Sequence, residues 1–221
     1  MRESSNEIPE YLDEIIFHLG KGYNFVWGSV KQSLLFNGNH NSNLEDFDVY
    51  LDYQSYNDEK FLDFGLQLLK KIITSCFDTE YFPKSRNIRQ LVFYLKYFII
   101  LREFLKESSN EIPGYLDEII FHLGKGYNFV WGSVKQSLLF NGNHNSNLED
   151  FDVYLDYQKY SFKSEKRDLG GYGILKNKHV ILGMDIGSPP ESKFSENYQS
   201  GPLSFEAIYR GTKIICNSGY Y

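Results

Sequence analysis

The sequence predicts an α+β protein, with helical hairpins up to about residue 157 and an incomplete antiparallel β part after it. Three observations predict this. Apolar residues recur at helical spacing in successive runs up to residue 158. Beyond it, short β-rich runs are separated by Gly and Asn turns. The third is a repeat: residues 3–54 reappear at 107–158, and 51 of the 52 paired positions are identical, the exception being Glu10 against Gly114. Loops tolerate change better than cores, yet the loops match as well as the apolar positions. The duplication is therefore young, or an artefact of how the reading frame was assembled. Two copies separated by unique sequence do not make a stacking array.

Residues 3–19 read as a helix, with Ile8, Leu12, Ile15, Ile16 and Leu19 on one face. Ser5 or Asn6 caps it, Pro9 suits its first turn, and Gly20-Lys21-Gly22 stops it. Residues 30–36 read as a short strand, Asn37-Gly38 as a turn, and 43–52 as a short helix. Residues 54–60 form a junction. A helix over 61–74 buries Phe61, Leu62, Leu66, Leu69 and Ile73. A loop over 75–87 leads to a longer helix over 88–106, carrying Leu91, Leu95, Phe98, Ile99, Leu101 and Phe104. The second copy follows without a linker. Strands are expected at 172–176, 179–185, 203–209 and 212–216, too few and too short to close a sandwich.

The chain has 221 residues and a net charge of −6, which disfavours nonspecific binding to nucleic acid or anionic membrane. The most apolar run, 91–105, contains Lys96 and Arg102 and reads as a buried helix rather than a membrane span. Cys76 and Cys216 set no disulfide framework. The N-terminus, MRESSNEIPE, has no apolar leader. Aromatic residues make up 17 %, which suits either a core or a carbohydrate cleft.

Lys84-Ser85-Arg86-Asn87 with Arg89 is a local basic cluster in an acidic protein. Arg86, Asn87 and Arg89 are candidates to bind a substrate carboxylate, Arg through its two-pronged donor geometry. The alternative is that Ser85 or Asn87 caps the next helix while the basic residues are solvated. His144 lies in a polar loop and is a candidate base; His122 beside an apolar helix face reads as structural. Glu149, Asp150 and Asp152 fit either a pair of catalytic acids or the start of a helix whose dipole they complement. Glu206 faces a cleft or solvent. No metal-ligand spacing is present, and no metal or cofactor is assigned.

From Phe61 onward, the order of pieces resembles the heparinase II/III-like polysaccharide lyases. The resemblance runs through the helix and the Ser85-Arg86-Asn87 loop, then Phe140-Asn141-Gly142 and Gly170-Gly171-Tyr172. It is most specific in MDIGSPP from Met184, GPLSFE from Gly201 and KIICNSG from Lys213. It implies the last part of an α/α toroid followed by an antiparallel β-sandwich. Residues 3–54 are then a surplus copy, loosely packed or docked where a toroid helix is missing; 55–157 are toroid-like, and 158–221 open the sandwich. It further implies β-elimination on an acidic, uronic-acid-containing polysaccharide, with Tyr and His moving protons. A periplasmic or secreted location follows from the same resemblance. The family's HxHxD pattern is replaced by Asn197, Gln199 and Gly201, and a later Asp by Asn217. The family tyrosine falls near Arg89 or Gln90, with Tyr81 only a neighbour; Tyr81 and His144 are the catalytic candidates. The rival readings are a noncatalytic glycan-binding or structural β-sandwich, and a product without activity.

Overall fold

A computed structural model describes residues 59–132, 134–141, 143, 148–195, 198, 201 and 203–217. The readings placed on residues 3–54, including the packing of the first copy, lie outside these residues, as do His144, Asn197 and Gln199. The chain divides into two compact units. One comprises Met1–Ser75 with Glu103–Glu111, the other Cys76–Arg102 with Ile112–Tyr221.

In the first unit, helix α1 (Glu59–Cys76) buries Leu69 and Ile72, while Leu66 and Ile73 stay half-exposed. Its buried stripe is thus narrower than the expected one and rotated towards Ile72. Helix α2 spans Ile88–Glu107. Its residues Leu91, Val92, Tyr94, Leu95, Tyr97, Phe98, Ile99, Ile100 and Leu101 are all buried. A helix stretch buried on most of its sides belongs inside a core, and residues Ile88–Arg102 of α2 lie in the second unit.

The repeat boundary departs from expectation. The residues equivalent to the expected N-cap, Ser109 and Asn110, instead finish α2. Ser109 adopts φ 59°, and the Asn110 N–H donates to the Leu105 carbonyl at 2.8 Å. Because α2 runs straight into the second copy, these residues satisfy its orphan carbonyls first. Helix α3 starts later, at Gly114, and continues to Tyr127, followed by a wider turn over Asn128–Gly132. The glycines expected to stop it lie inside it. A Cβ on Gly124 would stand 2.1 Å from the Phe162 ring, and one on Gly126 2.9 Å from Leu91. They are there for close approach rather than for termination. Residues 134–140, counterpart of the expected strand, are irregular. Side chains from the sheet satisfy their backbone instead: Leu139 N–H donates to Glu206 Oε1 at 2.6 Å, and Lys213 donates to the Ser137 carbonyl. Helix α4 (Glu149–Tyr157) matches the counterpart of the expected short helix.

The β part is a five-stranded antiparallel meander in the order β1 (Asp168–Leu169), β2 (Tyr172–Lys176), β3 (Val180–Asp185), β4 (Phe205–Tyr209) and β5 (Thr212–Ile215). The first, two-residue strand was not expected. It joins β2 through Gly170 and Gly171 at φ 58° and 80°, and a Cβ on either would strike Phe82 or Arg86. Side chains alternate across a strand. Tyr172, Ile174, Gly183, Asp185, Glu206 and Ile208 face the core, while Leu175, Val180, Phe205, Tyr209 and Ile215 line an exposed face. Neither Cys76 nor Cys216 forms a disulfide.

Candidate functional site

The loop between α1 and α2 is tightly specified. Asp78 Oδ1 accepts the N–H groups of Glu80 and Phe82 at 2.8 and 2.9 Å, and Phe77 bridges to Pro83. This turn presents Tyr81 at φ 61°, in the left-handed region where a bulky residue is uncommon. The Tyr81 hydroxyl donates to Glu118 Oε1 at 2.7 Å, and its ring stacks on His122 at 4.4 Å and 16°. Glu118 and His122 lie four residues apart on α3, one turn along the same face. His122 in turn meets the edge of Phe121 at 5.4 Å, and Lys125 Nζ stands 4.2 Å from the Phe121 ring centre.

The electrostatics give the two titratable groups opposite characters. Burial, then Lys125 and Lys166, push His122 below its ordinary value, while Glu118 opposes them. The imidazole is therefore neutral at pH 7 and able to accept a proton. The hydrogen bond to Glu118 raises the Tyr81 phenol, with burial and the nearby carboxylate charge adding to it. Tyr81 is thus a proton donor at neutral pH. Among the described residues, no three His, Cys, Asp or Glu side chains are grouped to hold a metal ion.

Arg86, a candidate carboxylate ligand in the sequence, points into the core. It is 7 % exposed and adopts φ 57°. Its five N–H groups are all taken by protein acceptors. Nε reaches the Gly170 carbonyl at 3.2 Å, Nη1 the Gly187 and Ser188 carbonyls, and Nη2 the Gly171 carbonyl and the Asp185 carboxylate. Asp185 Oδ2 also accepts from Asn141 Nδ2 at 3.2 Å, and Asn141 Nδ2 reaches the Tyr172 hydroxyl at 2.5 Å. Tyr172 closes the network by donating to the Arg86 carbonyl. This arrangement clasps the α1–α2 loop to the sheet.

Asn87 caps α2, its Oδ1 accepting from the N–H groups of Arg89 and Gln90 at 2.8 and 3.2 Å. Arg89 is half-buried in the first turn of α2. Of the three helix-start acids, Glu149 and Asp150 are exposed, and Asp152 accepts from Tyr127, Trp131 Nε1 and Lys135 at 2.7, 2.9 and 2.6 Å. Glu206 faces neither cleft nor solvent. It is fully buried and paired with Lys213 at 3.1 Å. The grouping of Tyr81 with Glu118 and His122 was not legible in sequence, because it joins residues 37 and more positions apart.

The comparisons with known proteins agree with the fold. Residues 162–221 match the family model described as Heparinase II/III-like, C-terminal. A solved structure of heparinase III superposes with a TM-score of 0.60 at 15 % identity, over 77 % of this chain and 33 % of that one. Heparan sulfate lyase HepC from Pedobacter heparinus gives 0.59 at 10 % identity, over 77 % and 30 %. A third structure, a heparinase III, gives 0.62 at 11 % identity, over 78 % and 30 %. The chain thus spans about a third of the length of these relatives. A search of curated protein sequences gives no match.

Proposed function

With its C-terminal part matching the heparinase II/III-like family, we propose that this chain is part of a polysaccharide lyase acting by β-elimination on a uronic-acid-containing polysaccharide. One observation carries the reading: a phenol and a neutral imidazole are stacked at 4.4 Å on the surface. In the proposed step His122 accepts the C5 proton of a uronate. The C4–O bond breaks, a C4–C5 double bond forms, and the leaving oxygen takes the Tyr81 proton. His122 then releases its proton to solvent and Tyr81 regains one from it. Glu118, which accepts the Tyr81 hydroxyl before substrate is bound, is a positioning residue; the phenol proton leaves that bond for the leaving oxygen. Arg89 is the proposed carboxylate ligand; Asn87, buried and capping α2 through Oδ1, fixes the turn that carries it. Arg86, with every N–H occupied, serves by holding their loop. His144 is the alternative base. The helical part is proposed to belong to an α/α toroid in the full-length protein.

The test is appearance of ultraviolet-absorbing unsaturated uronide ends from an acidic polysaccharide. Tyr81→Phe is expected to lower kcat by about 100-fold or more and leave KM near its starting value. His18→Gln/His122→Gln, changed in both copies, is expected to do the same. Full activity in either variant overturns these roles. A noncatalytic glycan-binding reading is favoured by Gly201 standing where the family pattern carries an acid. It predicts saturable retention of the glycan with no product.

A further inference from the structure

Phe121 is 48 % exposed on α3, which leaves part of its ring open to solvent. Its surroundings are ordered. The edge of the ring meets His122 at an interplanar angle of 78°, and Lys125, one turn along the helix, covers part of its face. Among the described residues no carboxylate lies within ion-pair distance of Lys125, whereas Lys166 is paired with Glu80 and Glu118 accepts the Tyr81 hydroxyl. The shelf therefore offers an apolar surface and, over part of it, a cation with no carboxylate partner among the described residues, next to the stacked Tyr81 and His122 rings. A ligand that satisfies both must present an apolar face and an anion within one small ring.

We propose that Phe121 and Lys125 form a binding subsite for a uronic-acid residue. The C–H face of the pyranose rests on the exposed part of the Phe121 ring, and the carboxylate pairs with Lys125. This rests on the reading of Tyr81 and His122 as the proton-transfer pair and deepens it by placing a sugar beside them. A plain Lys–Phe contact stabilising the helix surface predicts no ligand.

The probe is an unsulfated tetrasaccharide of alternating glucuronate and N-acetylglucosamine, with its carboxyl-reduced form as the neutral control. Binding to the full chain is measured by calorimetry. Phe17 and Lys21 repeat Phe121 and Lys125 in the first copy, so each variant carries the change at both positions. The acidic probe is expected to bind at least fivefold more weakly to Phe17→Ala/Phe121→Ala and to Lys21→Gln/Lys125→Gln. Lys21→Arg/Lys125→Arg is expected to retain most of the affinity, and the neutral probe to bind at least fivefold more weakly to the starting protein. Far-ultraviolet dichroism confirms that the variants fold. Unchanged affinity in the Ala and Gln variants, equal affinity for the two probes, or no binding of either overturns the proposal. The two readings fail separately. Weakened binding in these variants, with no product from any form of the protein, leaves the subsite and removes the lyase. Product formation with unaltered KM in the variants does the reverse.

Discussion

Arg86 shows how one side chain sets the loop that carries the candidate site. A buried ion is costly unless it is paired and its remaining donors are satisfied. The Arg86 guanidinium meets this with one carboxylate and four carbonyls, all from the turns at 170–171 and 185–188. It also lies 5.0 Å from the Tyr172 ring centre. Removing one partner of such a pair leaves an uncompensated charge and costs about 3–5 kcal/mol. Arg86→Met is therefore expected to lower the midpoint of urea unfolding sharply. Arg86→Lys should recover little of it, because an ammonium has three donors and no planar fork. A midpoint for Arg86→Lys equal to that of the starting protein would contradict the clasp. In the sequence, Arg86 sat in a basic loop and was a candidate either for a carboxylate ligand or for a solvated side chain. Its acceptors lie 84 and more residues away, and no local pattern marks them.

At the scale of elements, much was legible, because local signals there agree with tertiary demand. Helix α2 and strands β2 to β5 fall where apolar periodicity and the Gly and Asn turns place them. Two of the readings that moved, at the ends of α2 and α3, share one physical cause: a residue type with two uses was assigned the commoner one. Ser109 and Asn110 suit a helix start, but here they end the preceding helix. Gly124 and Gly126 suit a helix stop, but here they admit Phe162 and Leu91. The one mismatch between the copies tests this account. Gly114 begins α3, and a Cβ there meets nothing within 4 Å. Installing the first copy's residue, Gly114→Glu, adds helix propensity and an acid beside the positive end of the helix. Each effect is worth a few tenths to about 1 kcal/mol, so the variant is expected to melt at or above the starting temperature. Gly124→Ala is expected to cost about 1–3 kcal/mol, because the Phe162 ring must move. Thermal unfolding checks both. A loss at Gly114 as large as that at Gly124 would mean that α3 does not start where its backbone places it.

For the whole molecule, two partly buried charges with opposite roles predict the shape of stability against pH. Burial alone would raise the Asp152 carboxyl, but hydrogen bonds from Lys135, Trp131 and Tyr127 outweigh it and leave it below 3.8. A carboxyl depressed in the folded state contributes stability that is present above the unfolded pKa and is lost as pH falls through the folded one. Lys96, held over the Phe151 ring at 5.0 Å, is lowered by burial to about 8 from 10.5, with Asp150 opposing. Between those two values the unfolded chain binds more protons than the folded one, so stability rises with pH there. Below about pH 8 the charged lysine is a cost to the fold. Asp152→Asn is accordingly expected to melt below the starting protein at pH 7, with a deficit that shrinks as pH falls under about 4, where Asp152 itself takes a proton. Lys96→Met keeps the volume and removes the charge, and is expected to melt higher at pH 7, with the advantage fading between about pH 8 and 10.5. Melting curves of the three proteins across this range decide the matter. Differences that stay constant with pH would show that neither group titrates out of step with the unfolded chain.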